Sequence, residues 1–484
     1  MNSARGTLRA LSTHVNSTWI SGLRLFAGFC LLVPETKADI FVPTDYPTIQ
    51  AAIDAAIPGD VVHLAPGKYP EVLHLNKSLT LAGSGTNNCV LNFFTNVPII
   101  SITGPGTVVL SNFEIEGGLY MGTNLDYYNG FSDLGIVASN ANLVLDTMLL
   151  NQIKNYCVTV VDGSIAATNV GLWTRNVLGA ADVGFQLKGC TGTISRVWQE
   201  SGHLDHTVNI NNPPANHSDV TIENCRIRTS SGSYGNCIRS YLNANVVITN
   251  CFLYRAAGEA FPAYPAFNHS AISVNGYSNV VIVSGNTISN SPWAIYCYGS
   301  FGGNRLLVEN NLILNSSIGG IVWDAMSYKG VDLGGGAFGS RGGNVFSELP
   351  APLTNFCTDV LFTNGSGFSS ANIFALRNTW SNPTNRESVI YDKLDNALCG
   401  RLITDELVIK TTGQDLNGRP VISWNERGAG ERYTVELRPD LTAGNWINAP
   451  GSWPITNSGL SDMVWTNSTV ISSNAFFRIR SLVP

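Results

Sequence analysis

Residues 246–255 read VVITNCFLYR, and residues 220–229, twenty-six positions earlier, read VTIENCRIRT. Both segments place alternating apolar residues around an Asn, and the same frame recurs through most of the chain. The central position is occupied in turn by Gly83, Asn112, Thr147, Asn169, Arg196, Asn224, Asn250, Gly285 and Asn310. Recurrence at a spacing of 22 to 35 residues, most often near 25, is typical of a solenoid built from stacked repeats.

The repeated segments predict strands, because they are short, alternating and rich in β-branched residues. A second predicted strand precedes each frame, at 134–139, 156–161, 183–188, 206–211, 236–241, 270–275, 293–298 and 319–324. No helical pattern of ten residues lies between the predicted strands. Two or three short strands in each repeat predict a parallel β-helix, whose coils stack about 4.8 Å apart.

The residue after the central position predicts an inward-facing column. Its members are Phe113, Met148, Val170, Val197, Cys225, Cys251, Asn286 and Asn311. Because several of them are apolar, we expect Cys225 and Cys251 to be stacked buried thiols rather than a disulfide. An inward Asn needs hydrogen-bond partners, so Asn286 and Asn311 predict an internal ladder of amides.

The segment YPTIQAAIDAAIPGDVVHLAPGKYPE (46–71), followed by LTLAGSG, resembles the start of right-handed parallel β-helix proteins of the pectin-lyase-like superfamily. In it, Thr48 is the expected N-cap of a short helix that covers the open end of the solenoid. The resemblance implies a right-handed parallel β-helix over residues 39–410. Residues 411–484 lack the repeat and resemble a fibronectin-III-like module, which implies a small antiparallel β-sandwich.

The first 38 residues resemble an export signal, with basic residues around the apolar run 23–33. We therefore expect a protein that is secreted, periplasmic or attached to the cell surface, and that inserts no stable span into a membrane. The formal net charge of −6 gives no basic surface for a nucleic acid. We predict a monomer whose partner is a polysaccharide.

Alternation predicts which side chains of the preceding strands face outward. One outward column is Val137, Thr159, Gln186, Asn209, Arg239, Ser273, Tyr296 and Val322. A second is Ser139, Val161, Lys188, Asn211, Tyr241, Asn275, Tyr298 and Asp324. Amides, aromatic rings and isolated charges suit a carbohydrate, so we expect a solvent-exposed groove in which Tyr296 and Tyr298 contact sugar rings.

Two loops are expected to overhang this face. One contains Glu200, His203, Asp205 and His206, and the other, a longer insertion, contains Glu259 and His269. Loops inserted into solenoids tend to lie on the binding side, and His206 and His269 are predicted to lie about one coil apart. The H-x-D-H spacing at 203–206 leaves a divalent cation as an alternative, although we predict no cofactor.

Three functions remain open. A polysaccharide lyase needs a base and a cation that neutralises a uronate carboxylate, for which His206, Lys188, Arg239 and Tyr241 are suitable types. A glycoside hydrolase needs two carboxylates, for which Asp205, Glu259 and Asp324 are candidates. The well-known catalytic motifs of polygalacturonases, pectinesterases and pectate lyases are missing, so a non-catalytic glycan-binding or adhesive protein is the alternative.

We predict a catalytic set and a substrate-binding set on this face. The predicted catalytic residues are Arg239, His206, Lys188, Asp205 and Asp324. The predicted substrate-binding residues are Gln186, Asn209, Asn211, Tyr241, Asn275, Tyr296, Tyr298, Glu259 and His269. We favour a lyase over a hydrolase.

Overall fold

The computed structural model describes the chain in segments. They are residues 37–93, 97–117, 134–153, 155–173, 183–201, 204–228, 235–255, 270–299, 303–316, 319–325, 330–347, 354–358, 372–392, 401–404, 407, 409–425, 432–439, 445–456, 463–468 and 475–482. The export signal predicted for residues 1–38 lies almost entirely outside these segments.

The larger sheet, sheet A, contains 23 strands in the described segments. They are β1 (Asp39–Val42), β2 (Val61–Leu64), β3 (Gly67–Tyr69), β5 (Leu79–Ala82), β6 (Cys89–Asn92), β8 (Thr107–Ser111), β9 (Glu114–Glu116), β11 (Asn142–Asn151), β13 (Ser164–Trp173), β15 (Thr191–Ser195), β16 (Trp198–Ser201), β18 (Ser218–Glu223), β19 (Arg226–Arg228), β21 (Ala244–Thr249), β22 (Phe252–Tyr254), β24 (Val280–Ser284), β25 (Thr287–Ser289), β27 (Arg305–Glu309), β28 (Leu312–Leu314), β30 (Val331–Gly334), β31 (Val345–Ser347), β33 (Asn372–Ala375) and β35 (Arg401–Ile403).

The second sheet, sheet B, contains 12 strands in the described segments. They are β4 (Leu73–Leu75), β7 (Ile100–Thr103), β10 (Leu134–Ser139), β12 (Tyr156–Val161), β14 (Val183–Lys188), β17 (His206–Asn211), β20 (Asn236–Tyr241), β23 (Ser270–Asn275), β26 (Trp293–Gly299), β29 (Gly319–Ala325), β32 (Thr354–Thr358) and β34 (Ile390–Tyr391). A 3-10 helix, Arg386–Val389, precedes the last of them.

Every described pairing in both sheets is parallel, and each strand pairs with its counterpart one repeat away. For example, β17 pairs with β20 in sheet B, while β18 pairs with β21 and β19 with β22 in sheet A. The chain therefore advances by one coil per repeat, and the predicted parallel β-helix is confirmed. The eight strands predicted ahead of the frames correspond to β10, β12, β14, β17, β20, β23, β26 and β29.

The central residue of the frame has a positive φ angle at every position except Gly83. The angle is 57° at Asn112, 54° at Thr147, 55° at Asn224 and 53° at Asn250. This left-handed conformation turns the chain between two strands of sheet A, or within one strand in β11 and β13, and Asn adopts it more readily than other residues with a side chain. The recurring Asn is thus explained by the backbone it must form.

The inward column is confirmed, since all its members from Phe113 to Asn311 are buried. Asn286 Nδ2 donates to Asn311 Oδ1 at 3.0 Å, and Asn311 Nδ2 donates to Asn344 Oδ1 at 2.9 Å. Asn344 Nδ2 continues the ladder to Asn378 Oδ1 at 2.9 Å. Cys225 and Cys251 are free thiols, and the hydrogen bond with Cys225, followed by burial, raises the pKa of the Cys251 thiol.

A short helix, α1 (Ile49–Ala55), covers the N-terminal end of the core. Thr48 is its N-cap, and its side chain accepts a hydrogen bond from Ala51 N at 3.2 Å. The apolar side of the helix, which includes Ile49, Ala52 and Ile53, belongs to the main core. Within the described segments, no helix is both long and apolar enough to span a membrane.

From Ile409 onward, the described strands are antiparallel. One small sheet contains β36 (Ile409–Gln414), β37 (Pro420–Trp424) and β41 (Met463–Thr466). The other contains β38 (Arg432–Arg438), β39 (Ile447–Asn448), β40 (Ile455–Thr456) and β42 (Phe476–Leu482). Trp424 and Trp465 of the first sheet share a core with Tyr433 and Val435 of the second, which is the predicted sandwich.

Candidate functional site

The outer face of sheet B carries the two predicted columns. The register joins Val137, Thr159, Gln186, Asn209, Arg239, Ser273, Tyr296 and Val322 as neighbours on successive coils. The second column is joined from Ser139 through Val161 to Lys188, and again from Asn211 through Tyr241, Asn275 and Tyr298 to Asp324. The side chains of Tyr298 and Asp324 lie outside the described part of the chain.

The first residue of several sheet B strands also reaches the outer face. The second and third residues both turn inward: Thr207 and Val208 are buried together, as are Cys237 and Ile238. A Cβ at Gly184, the matching position of β14, would lie 2.7 Å from Leu172 of the core. This irregularity of alternation resembles a β-bulge and places His206 beside the outward columns.

His206 and Arg239 meet on adjacent coils. Arg239 Nη1 lies 3.3 Å from His206 Nε2, and the Arg239 guanidinium lies 4.8 Å from the centre of the Tyr241 ring. A guanidinium can only donate, so His206 Nε2 accepts and the imidazole carries its proton on Nδ1. His206 and Arg239 are the two predicted catalytic residues that the structure brings together.

The His206 imidazole is held in its neutral form. Burial first, and then the positive charge of Arg239, lowers the pKa of His206 to about 3, although the Asp205 backbone acts in the opposite direction. The side chain is only 5% exposed, and its Nδ1 has no hydrogen-bond partner. A neutral imidazole therefore lies against a cation in a poorly solvated position.

Gln186 and Asn209 form a pair of amides one coil from this contact. Asn209 Nδ2 donates to Gln186 Oε1 at 2.9 Å, and both side chains are buried, at 5% and 3% exposure respectively. Gln186 Nε2 and Asn209 Oδ1 have no hydrogen-bond partner among the described residues. One donor and one acceptor are thus left unpaired within the same column as Arg239.

The predicted solvent exposure of this face is wrong. Gln186, Asn209, His206 and Ser273 are buried, and Tyr296 is only 6% exposed. Tyr296 packs with Trp293 and Val322 in a small apolar cluster of its own. Alternation shows that a side chain lies on the outer side of the coil, but it does not show whether that side is covered. The prediction therefore treated side chains that face outward as exposed to solvent.

The other predicted site residues are more dispersed. Asp205 is buried, and its carbonyl accepts a hydrogen bond from Asn236 N. Lys188, Asn211, Tyr241 and Asn275 are half-buried, and Asn275 Oδ1 accepts a hydrogen bond from Ser273 Oγ. The predictions for His203, Glu259 and His269 lie outside the described segments.

The predicted spacing of the two loop histidines needs correction, and the predicted alternative of a divalent cation stays open. Strand β20 lies between β17 (His206–Asn211) and β23 (Ser270–Asn275), so the two strands that the histidines were expected to begin are separated by two coils, not the predicted one. Among the described residues, no group of three or more His, Cys, Asp or Glu side chains is arranged to hold a metal ion. The divalent cation stays an untested alternative.

Sequence reasoning missed Asn236 and Trp293, which begin their strands as His206 does. Asn236 Nδ2 donates to Ser270 O at 2.9 Å and to Ser270 Oγ at 3.1 Å. Simple alternation would assign the first residue of these strands to the interior, because it stands two positions before an inward residue. A small residue in the second position, such as Gly184 or Ala271, was the available signal.

A comparison with protein-family models finds a match over part of the chain. A family model described as a protein of unknown function, DUF1565, matches residues 168–386, which extend from β13 to the 3-10 helix. No match was found among curated proteins.

Several solved structures are distantly similar to the chain. One is ORF18 of Geobacillus virus E2, with 12% identity over 87% of this chain and 73% of that one, and a TM-score of 0.34. Another is an alginate lyase from Paenibacillus sp., with 15% identity over 55% and 91%, and a TM-score of 0.36. A third is a mannuronan C-5 epimerase module from Azotobacter vinelandii, with 14% identity over 69% and 91%, and a TM-score of 0.33.

Proposed function

We propose that the protein binds an acidic polysaccharide along the outer face of sheet B and cleaves it by β-elimination. The observation that carries this proposal is the 3.3 Å contact between the Arg239 guanidinium and the neutral His206 imidazole. Elimination beside a uronate carboxylate needs a cation for the carboxylate and a base for the neighbouring proton. These two groups supply both requirements on adjacent coils.

Substrate binding would strengthen the base. The charge of Arg239 is one of the two causes that lower the pKa of His206. A carboxylate that pairs with the guanidinium offsets this charge, so the imidazole binds a proton more readily when the substrate is in place. As the guanidinium turns to the carboxylate, His206 Nε2 becomes free to accept the proton.

The proposed reaction can be written with balanced atoms. His206 takes the proton from the carbon beside the carboxylate, and the electrons of that C–H bond form a carbon–carbon double bond. The glycosidic carbon–oxygen bond breaks, and the departing oxygen takes a proton from the Tyr241 phenol. Lys188, Asp205 and Asp324 remain candidates for contacts with the neighbouring sugars.

The direct test is incubation with polygalacturonate and alginate while the ultraviolet absorbance of the unsaturated product is recorded. Arg239→Ala and His206→Gln are each expected to lower kcat/KM by about 10² to 10⁴-fold. Lys68→Ala removes a cation whose side chain is 69% exposed on β3 of sheet A, and should leave turnover unchanged. Full turnover in the Arg239 variant would contradict the assignment.

Binding without cleavage is the second candidate function. An imidazole whose pKa lies near 3 is a weak base, and this favours a face that recognises a uronate without reacting with it. In that case, the same polysaccharides would raise the melting temperature of the protein and no unsaturated product would form. Loss of the temperature shift in Arg239→Ala would then locate the binding site.

We also propose that the protein acts outside the cytoplasm, as a monomer. The resemblance of the first 38 residues to an export signal supports the location, and an extracellular polysaccharide is the substrate that such a location would offer.

A further inference from the structure

We propose that the Gln186–Asn209 pair binds the acetamido group of an N-acetylated amino sugar. The polysaccharide would then contain such a sugar beside the uronate that Arg239 binds, so this inference rests on the proposed function for its carboxylate site. The pair leaves Gln186 Nε2 as a donor and Asn209 Oδ1 as an acceptor, both within buried side chains.

In either orientation of the two amide groups, one donor and one acceptor stay unpaired. If both amides were turned by half a revolution, Gln186 would donate to Asn209, and a Gln186 oxygen and an Asn209 nitrogen would be left. Either assignment leaves one donor and one acceptor on adjacent coils. The requirement for a ligand that both accepts and donates is therefore independent of the assignment.

The interior ladder shows how the same chain pairs buried amides where no ligand is bound. Asn311 Nδ2 donates to Asn344 Oδ1 and to the carbonyls of Val283 and Glu309. Asn311 Oδ1 accepts from both nitrogens of Asn286. Buried polar groups are normally paired, so the outer pair is incomplete by the standard of the ladder, as are a few other buried amides such as Gln199 Nε2.

The chemistry of the pair excludes the charged groups that sugars carry. A carboxylate has no donor for Asn209 Oδ1, and an ammonium has no acceptor for Gln186 Nε2. A hydroxyl can donate and accept, but only through a single oxygen, whereas a secondary amide offers a carbonyl oxygen and an N–H that lie in one plane and point in opposite directions.

The Gln186–Asn209 pair lies next to Arg239 in the outward column. Asn209 and Arg239 are neighbours in one outward column, and Gln186 is one coil further away. Coils are about 4.8 Å apart, which is comparable to the length of one sugar ring. A chain that runs across the coils would place an acetamido group and a carboxylate on successive sugars, as in a polymer that alternates uronate with N-acetylhexosamine.

The experiment measures the binding of three oligosaccharides by calorimetry: alternating glucuronate and N-acetylglucosamine, oligogalacturonate, and uncharged oligo-N-acetylglucosamine. We expect the alternating oligomer to bind at least about tenfold tighter than oligogalacturonate. Gln186→Met and Asn209→Asp should each remove this preference, while Asn142→Asp, the same change at an exposed amide of sheet A, should retain it. Unchanged melting temperatures would show that the variants fold.

The outcomes separate the two proposals. Equal binding of the alternating and the galacturonate oligomers by the unaltered protein would overturn the acetamido site and leave the carboxylate site standing. If the unaltered protein binds the uncharged oligomer and Gln186→Met abolishes that binding, the acetamido site is supported. This holds even if neither acidic oligomer requires Arg239 for binding. If Gln186→Met and Asn209→Asp both bind the N-acetylated oligomers as tightly as the unaltered protein does, the acetamido site is also overturned.

Discussion

The neutral state of His206 is a consequence of where its side chain lies. In the unfolded chain, the imidazole has a pKa near 6.5, whereas burial and Arg239 lower the pKa to about 3 in the folded protein. Between these values, the unfolded state binds more protons than the folded state. The contribution of His206 to stability is therefore complete above about pH 6.5 and decreases as the pH falls toward 3.

This linkage predicts a pH-dependent difference between the unaltered protein and His206→Gln. On lowering the pH from about 7.5 to about 4.5, the unaltered protein should lose roughly 2.7 kcal/mol more unfolding free energy than the variant. Urea unfolding at the two pH values measures this difference. Other groups titrate in both proteins, so only the difference between them is diagnostic. Identical pH dependence would show that His206 is not held neutral.

The strands of sheet A are shaped by the residue at the central position of the frame, which adopts the left-handed backbone conformation. Most coils place Asn or Gly there, but Thr147 has φ of 54° and Arg196 has φ of 51°. A β-branched residue is poorly suited to this conformation, so Thr147 is strained although its side chain is exposed. Its hydroxyl contacts Asp146 Oδ1 at 3.1 Å, which compensates only in part.

Exchanging residues between two such turns should change stability in opposite directions. Thr147→Asn is expected to raise the unfolding free energy by about 0.5 to 1 kcal/mol, and Asn112→Thr to lower it by a similar amount. Both positions are exposed and both have positive φ, so burial contributes little to the comparison. Denaturant unfolding would measure both changes, and a loss of stability in Thr147→Asn would contradict the role given to the turn.

Sequence reasoning reached the register of the strands, because a period of about 25 residues with a marked central position fixes which residues stack. It predicted the amide ladder from Asn286 and Asn311 alone. It did not reach the paired inward residues of sheet B, since Thr207 and Val208 interrupt the alternation on which the prediction relied. It also did not predict that Gln186 and Tyr296 are buried, because alternation gives the side of the sheet on which a residue lies and not how that side is covered.

At the scale of the whole molecule, the described residues form two large hydrophobic cores, in addition to the small cluster of Trp293, Tyr296 and Val322. The main core continues from Val42 to Leu402, and the second contains Trp424, Tyr433, Val435 and Trp465. Trp424 is fully buried, and its ring meets Tyr433 edge-on at 5.6 Å. Separate cores predict separate unfolding of the β-helix and the sandwich.

Calorimetry should accordingly show two transitions. Trp424→Ala is expected to destabilise the sandwich by about 3 to 5 kcal/mol, because it leaves a large cavity, and to lower only one of the two melting temperatures. Val464→Ala, at a position that is 58% exposed in the same small sheet, serves as the control and should shift neither transition appreciably. A single unfolding transition whose melting temperature falls in Trp424→Ala would contradict independent unfolding of the two cores.

The one-coil register of the β-helix makes length an adjustable property of this molecule. Since each described coil contacts chiefly the coils above and below it, a duplication of one full repeat would insert a rung and displace the remainder by about 4.8 Å without repacking it. A partial repeat would instead change which residues stack along every column beyond the insertion. The outer face of sheet B can thus be lengthened in whole coils only, and the distance between the amide pair and Arg239 is set in the same units.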